Sequence, residues 1–330
     1  MPALDPALAA VRLAVRRGTD DLPADALVLV ACSGGGDSLA LLAASAFELP
    51  RAGHRCGTVV VDHRLQPGSA QVAAATAARA QDLGAEPVRV VTAHVGTAGG
   101  PEAAARTARY AALTRVAADT GAAAVLLGHT RDDQAETVLL GLARGSGARS
   151  LAGMRPVDGR WRRPLLALTR EQTRLACAAA GLHPWDDPHN DDDTLARARV
   201  RRHVLPALER DLGPGVAAAL ARTADLLRSD ADLLDSLAAP VTRRLVRPGP
   251  PTCVDCGGLA AESAALRTRV LLGAARAAGS PPAELTAGHV HDLDALVTGT
   301  HGGRGLDLPG GVRARRCGTD LLMERPGVAP

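Results

Sequence analysis

Six consecutive residues, Ser33-Gly34-Gly35-Gly36-Asp37-Ser38, combine bare backbone, two hydroxyls and one carboxylate. An apolar run, Ala26 to Ala31, precedes them, and a helical pattern, Leu39 to Leu49, follows. A glycine turn between a strand and a helix lets backbone N–H groups approach a phosphate closely, helped by the positive end of the helix dipole. Asp37 repels phosphate, so its place in such a turn implies a bridging divalent cation, Mg²⁺. The Walker spacing G-x-x-x-x-G-K-[ST] is absent, and the chain contains no lysine. An ordinary glycine-rich βα turn is the plain alternative.

A second set of reactive groups lies in Gly128-His129-Thr130-Arg131-Asp132-Asp133-Gln134-Ala135-Glu136. From Asp132 onward the pattern predicts a helix, and Asp133 and Glu136, three apart, share one face of it. Acidic residues in a first turn are favoured by the helix dipole, so capping alone explains Asp132 and Asp133. Glu136 lies beyond that turn. A third set, Asp62-His63, closes a β-rich run from Arg55 to Val61. The positive charge is all arginine, clustered at Arg160/Arg162/Arg163, Arg197/Arg199/Arg201/Arg202, Arg243/Arg244/Arg247 and Arg313/Arg315/Arg316. Guanidinium forks suit phosphate groups. The chain also has no isoleucine and a single asparagine, Asn190. That is the composition of a GC-rich genome, so an arginine cluster is not by itself evidence of RNA binding.

The elements that must hold these groups alternate. Leu4 to Arg16 reads as an amphipathic helix, Ser69 to Leu83 and Glu102 to Thr120 as helices, and Pro87 to Val95 and Ala122 to Gly128 as further strands. The alternation predicts an α/β, Rossmann-like parallel sheet with helices on both faces. In such sheets the ligand lies beyond the C-terminal strand ends. All three sets of groups fall there. Farther on, Arg162 to Leu168 is expected as an edge strand, and Thr169 as the cap of a helix to Ala180. Trp185 to Asp193 is acidic and turn-rich, and Arg197 to Leu208 follows it. Gly213-Pro214-Gly215 marks a boundary, giving domains 1–215 and 216–330. The second is smaller and mixed α and β. It has a long helix from Val216 to Ala238, helices Leu259 to Ala278 and Thr286 to Val297, and a hairpin from Leu306 to Met323. It holds no catalytic constellation.

With 330 residues, 46% hydrophobic residues and a net charge of +3, the chain has the composition of a two-domain globular protein. No apolar run reaches membrane-spanning length and residues 1–17 lack a signal-peptide pattern, so a cytoplasmic protein with no membrane partner is expected. Of six cysteines, Cys253 and Cys256 have C-x-x-C spacing. Two more zinc ligands are lacking nearby, and unbonded thiols are expected.

The loop resembles the PP-loop of enzymes that split ATP into AMP and pyrophosphate. Further stretches narrow the resemblance: Val60-Val-Asp-His-Arg-Leu65, Ala104-Ala-Arg-Thr-Ala-Arg-Tyr110, Gly128-His129 with Asp132-Asp-Gln-Ala-Glu-Thr-Val-Leu-Leu140, Arg144-Gly-Ser-Gly147, Leu151-Ala-Gly-Met154, Arg163-Pro-Leu-Leu166, and Asn190 with Arg197-Ala-Arg-Val-Arg201 and Leu205-Pro206. Together they resemble the tRNA(Ile)-lysidine synthetase family across nearly all of the first domain. Beyond Gly215 the likeness is weaker, carried by His301-Gly-Gly-Arg304 and Leu308-Pro-Gly-Gly311. Ala198 stands where the family usually has asparagine, and Gly36 where a larger residue is common.

The resemblance implies ATP-dependent joining of free L-lysine to C2 of the wobble cytidine in the CAU anticodon of isoleucine tRNA, through an adenylated base. It implies ATP and Mg²⁺ bound at Ser33, Gly34, Gly35, Gly36, Asp37 and Ser38, with Asp62 and His63 beside them and Asp37 on the metal. Asp133 or Glu136 could hold the lysine ammonium and accept its proton. Arg106, Arg109, Arg197 and Arg201 could stabilise phosphate or developing charge, and Arg199, Arg313, Arg315 and Arg316 are further candidates for the tRNA. A homodimer is the partner state left open. The alternative activity is 2-thiolation of tRNA on the same loop, which requires a cysteine pair or an iron–sulfur cluster at the nucleotide site. A glutamine-dependent or other small-molecule synthetase, and a non-catalytic nucleotide-binding module, explain fewer of these residues.

Overall fold

The computed structural model describes residues 4–64, 66, 68–93, 96, 101–145, 147–282, 284–299 and 305–325. Leu65, Val95, Ser146 and the stretch His301-Gly-Gly-Arg304 lie outside them. The chain forms two compact units, 1–140 with 153–223, and 141–152 with 224–330. The division falls inside a long helix, past the Gly213-Pro214-Gly215 turn.

In chain order the larger unit contains α1 (Pro6–Thr19), β1 (Leu27–Ala31), α2 (Gly36–Arg51), β2 (Arg55–Asp62), α3 (Ser69–Asp82), β3 (Val88–Thr92), α4 (Pro101–Thr120), β4 (Ala124–Leu127) and α5 (Arg131–Ala143). The short helix α6 (Ala148–Leu151) belongs to the smaller unit, and the larger one resumes with β5 (Val157–Asp158), β6 (Trp161–Arg162), α7 (Arg170–Ala179), α8 (Ala196–Arg199) and α9 (Leu205–Asp211). A single π-turn, Val200–Val204, joins the last two. The sheet order is β3-β2-β1-β4-β6-β5. All pairings are parallel except β5 with β6. Strand alternation divides β1 between two cores. Val28 and Val30 pack with α1, α2 and α7 on one face. Leu27 and Leu29 pack with Leu113, Val116 and Ala117 of α4 on the other. Strands buried on both faces are why these runs read as continuously apolar.

The expected strand from Arg162 to Leu168 is not formed. It ends at Arg162, and Pro164 starts a single 3-10 turn, Pro164–Ala167. Proline supplies no ladder N–H and fixes φ near the helical value, which explains the switch. Thr169 does cap α7, through a reciprocal capping box with Gln172.

In the smaller unit, α10 (Val216–Leu245) runs on beyond the expected end through Pro240. It is followed by β7 (Val246–Arg247), β8 (Thr252–Asp255), α11 (Cys256–Ala260), α12 (Ala264–Ala277), α13 (Ala287–Thr298), β9 (Leu306–Leu308), β10 (Val312–Cys317) and β11 (Asp320–Glu324). One helix was expected from Leu259 to Ala278. Two form instead, interrupted at residues 261–263, with Ser263 at the N-cap position of the second. The expected hairpin is three strands of a five-stranded sheet ordered β7-β8-β11-β10-β9. Its pairings are antiparallel. Val254, Val312, Ala314, Leu321 and Met323 point into one core with α11, α12 and α13.

Candidate active site

Beyond the C-terminal ends of β1, β2 and β4, the larger unit encloses a cavity of about 460 Å³. The loop from Ser33 to Ser38 forms its floor. Gly34 has φ +87°, and a Cβ there would lie 2.6 Å from Thr76 Oγ1, so both conformation and space demand glycine. Gly128, at the end of β4, would carry a Cβ 3.1 Å from the Ser38 N–H. Its lack of a side chain lets β4 come up against the loop. Ser38 Oγ accepts from the Ser33 N–H at 3.1 Å and donates to Gly35 O at 2.9 Å, closing the turn on itself. The Trp185 N–H donates to Gly34 O at 2.9 Å, and Pro184, Trp185, Asp186, Asp187 and Asn190 wall the cavity. The acidic stretch expected as plain turns is therefore part of the site.

Asp37 sits in the first turn of α2, where the helix dipole favours its charge. Burial nonetheless raises its pKa, opposed by a hydrogen bond from Thr173 Oγ1 and by Arg170, whose Nε lies 3.7 Å away. Asp133 Oδ2 accepts from the Thr130 N–H at 2.8 Å and from Thr130 Oγ1 at 3.0 Å, the capping arrangement the sequence left open. Its other oxygen accepts from Arg170 Nη2 at 3.0 Å and Arg201 Nη2 at 3.3 Å. Burial works against that charge, but Arg170 and the Thr130 N–H prevail and hold its pKa below the usual value.

Glu136 is 0% exposed. Arg201 reaches it twice, at 2.7 and 3.1 Å, Arg170 at 3.2 Å and Arg197 at 3.3 Å. Three carboxylates, Asp37, Asp133 and Glu136, thus meet three guanidiniums, Arg170, Arg197 and Arg201. Asp133 lines the cavity and Glu136 lies behind it. An ammonium could reach Glu136 only by displacing an arginine, because both carboxylate oxygens are taken. Arg170 and Thr173 come from α7, and Arg170 lies 37 residues beyond Asp133 and 34 beyond Glu136. Sequence spacing gave no sign of either.

His63, Arg109, Arg197 and Arg201 also line the cavity. His129 does too, its pKa pushed down to about 3, first by burial and then by the neighbouring Arg109. Burial and Arg109 likewise lower that of His63. Asp62 is buried beside the cavity and accepts from the Arg64 N–H at 2.9 Å, so it shapes the end of β2. Arg199 turns away, donating to the carbonyls of Asp193 and Thr194 at 2.8 and 2.9 Å. Ala198 is buried.

The arginines of the smaller unit have partners of their own. Arg313 pairs with Asp307 and Arg315 with Glu324. Arg316 Nη1 donates to Leu296 O and Val297 O, both at 3.0 Å, at the C-terminal end of α13. That is a helix-capping contact.

All six cysteines are free. Cys32 lines the cavity at the start of the loop, and Cys177 packs against the loop backbone. Cys32 Sγ lies 3.6 Å from Ser38 Oγ, and Cys177 Sγ 3.2 Å from Gly36 O. Burial raises both thiol pKa values, that of Cys177 to about 11. They pack as small apolar groups and not as thiolates. Among the described residues no three His, Cys, Asp or Glu side chains are grouped to hold a metal ion. Asp37 alone suits Mg²⁺ shared with phosphate oxygens and water, an ion that seldom takes an all-protein cage.

A parallel sheet whose first βα turn is a serine–glycine–aspartate phosphate loop defines a PP-loop nucleotide-binding protein, and the PP-loop domain family matches residues 13–208. The TilS substrate binding domain family matches residues 255–318. A tRNA(Ile)-lysidine synthase of Thermobifida fusca is 58% identical over 96% of this chain and 98% of its own length. Those of Salinispora tropica and Streptomyces coelicolor are 55% and 50% identical, covering 99% and 97% of this chain and 99% of each relative. The chain belongs to the tRNA(Ile)-lysidine synthase family. A solved U34-tRNA thiolase of Methanococcus maripaludis with its [4Fe-4S] cluster is 19% identical, with a TM-score of 0.55 over 67% of this chain and 80% of that one. That likeness is one of fold alone. Among the described residues no helix is long and apolar enough to cross a membrane.

Proposed function

We propose that this protein joins free L-lysine to C2 of the wobble cytidine in the CAU anticodon of isoleucine tRNA, spending ATP to AMP and pyrophosphate through an adenylated tRNA. The carrying observation is one cavity with the phosphate loop as its floor and a balanced carboxylate–arginine network as its wall. The loop N–H groups from Ser33 to Ser38 would hold the pyrophosphate end of ATP, and Asp37 the Mg²⁺ that neutralises it. Arg109 and Arg201, on the cavity wall, would meet charge developing at the α-phosphate and at the base oxygen. Lysine must lose a proton to attack, and its ammonium would meet the carboxylates with surface on the cavity, Asp37 and Asp133, with Asp186 and Asp187 at the rim. Glu136 would set the positions of Arg170, Arg197 and Arg201. The segment 1–215 would do the chemistry, and 216–330 would bind the tRNA body. Burial and raised pKa values at Cys32 and Cys177, which keep both thiols protonated, disfavour thiolation.

The test is incubation with ATP, labelled lysine and either CAU-anticodon isoleucine tRNA or the methionine tRNA with the same anticodon. Lysidine and stoichiometric pyrophosphate from the first alone are expected. Asp37→Ala should abolish both at saturating Mg²⁺ while the protein stays folded. Sulfur incorporation, or turnover unchanged in Asp37→Ala, would overturn the reading.

A further inference from the structure

Five arginines at or near the cavity fall into two electrostatic classes. Arg201 and Arg197 are neutralised by Glu136 and its neighbours. Arg109, with Arg106 one turn earlier on α4 and Arg163 after β6, is not: among the described residues none of these three pairs with a carboxylate. They are gathered instead around the phenol of Tyr110. Arg106 Nη2 and Arg163 Nη2 each donate to Tyr110 Oη at 3.4 Å. The guanidinium carbons of Arg106 and Arg109 lie 4.9 and 5.6 Å from the ring centroid. Trp161 holds the same ring edge-on, centroids 5.0 Å apart.

Arg163 is only 6% exposed. Its Nη1 donates to Arg155 O at 2.7 Å, and its Nε is buried without a partner, as is that of Arg109. An uncompensated buried guanidinium is costly. Two of them, Arg109 and Arg163, converge with the exposed Arg106 on one phenol and make a strong positive potential that only an anion from outside would neutralise. Arg109 faces the nucleotide cavity, Arg163 is enclosed behind the ring, and Arg106 is exposed. The open charge therefore lies outside the nucleotide cavity, one helical turn from it, where a strand feeding a base into that cavity would pass.

We propose that Arg106, held by Tyr110 and backed by the buried charge of Arg163, is a phosphodiester site for the RNA strand whose base enters the cavity, with Tyr110 and Arg163 acting as positioning residues. This rests on the reading of the protein as a tRNA-modifying enzyme, and the two can fail separately. The ATP, lysine and tRNA assay on the unaltered protein tests the reading. The inference is tested by binding of a short CAU anticodon stem–loop RNA over a salt series.

Arg106→Ala should weaken RNA binding and make the slope of log affinity against log salt less steep by about one. Affinity for ATP alone should be unchanged. Tyr110→Phe keeps the ring on Trp161 and removes only the hydroxyl, so it avoids the folding risk of an Arg163 variant. It should weaken RNA binding less, and add little when combined with Arg106→Ala, because both act through one contact. An unaltered salt slope in Arg106→Ala, or fully additive losses in the double variant, would overturn the proposal.

Discussion

Glu136→Gln removes one charge and almost no volume from the network under the cavity. Three guanidiniums then face two carboxylates, Asp37 and Asp133, so a balanced set becomes a buried excess of one positive charge. Breaking a buried ion pair by removing one partner costs about 3–5 kcal/mol. Gln still accepts one hydrogen bond from Arg201 or Arg197, which places the expected loss near the lower end, about 3 kcal/mol. For a unit of about 150–250 residues each kcal/mol shifts Tm by roughly 2–4 °C, so a fall of roughly 6–12 °C is expected. Arg170 will also lose one of its three anionic partners, and Arg197 and Arg201 their strongest. Because the same arginines wall the nucleotide cavity, both half-reactions should suffer. The assay is single-turnover release of pyrophosphate from γ-labelled ATP with tRNA, with and without lysine, beside calorimetric unfolding. If the pyrophosphate burst keeps its full amplitude and only lysidine formation stalls, the arginine-placing role is refuted. Glu136 would then be the proton acceptor for lysine.

His129 is held neutral by burial and Arg109, with a pKa near 3. Between about pH 3 and 6.5 the unfolded chain binds a proton at this histidine that the folded chain refuses. Stability should therefore fall as pH drops below 6.5, by up to about 1.4 kcal/mol per unit. A His129→Gln variant should show a flatter profile of unfolding free energy over that window; an equally steep one would assign the slope elsewhere. In the smaller unit, Arg316→Ala should cost about 1 kcal/mol of stability by uncapping α13, with little effect on the salt dependence of tRNA binding. Arg315→Ala should do the reverse, a difference that paired thermal and salt titrations would detect.

The sheet was legible because its central strands, β1, β2 and β4, are buried on both faces and its elements are separated by helices closed at Gly84 and Gly121, both with positive φ. The phosphate loop was legible because its function resides in local backbone. What escaped were partners that no period connects. Arg170 and Thr173 reach Asp37 across more than 130 residues, and the Trp185 N–H reaches Gly34 across 151. The arginine cluster at residues 313–316 read as one patch, yet strand alternation sends Arg316 to the helix side of the sheet and Arg313 and Arg315 to the other. Short β8 was missed because four residues carry too little alternation to separate from a loop.

The same long reach sets an order of assembly during synthesis. β1 pairs with β2 early, but its other neighbour, β4, begins at Ala124, and the groups that clamp the loop arrive only with Thr173 and Trp185. At about 5–20 residues per second, the ribosome needs roughly 7–30 s to go from Gly34 to Trp185. Throughout that interval the emerging chain carries a glycine turn without its clamps, and until β4 is made β1 has β2 as its one neighbour. Nucleotide affinity should therefore switch on abruptly in nascent chains, once α7 and the Trp185 segment have cleared the exit tunnel, and not build up strand by strand. An arrested-chain series crossing residue 185 would show that step in ATP crosslinking.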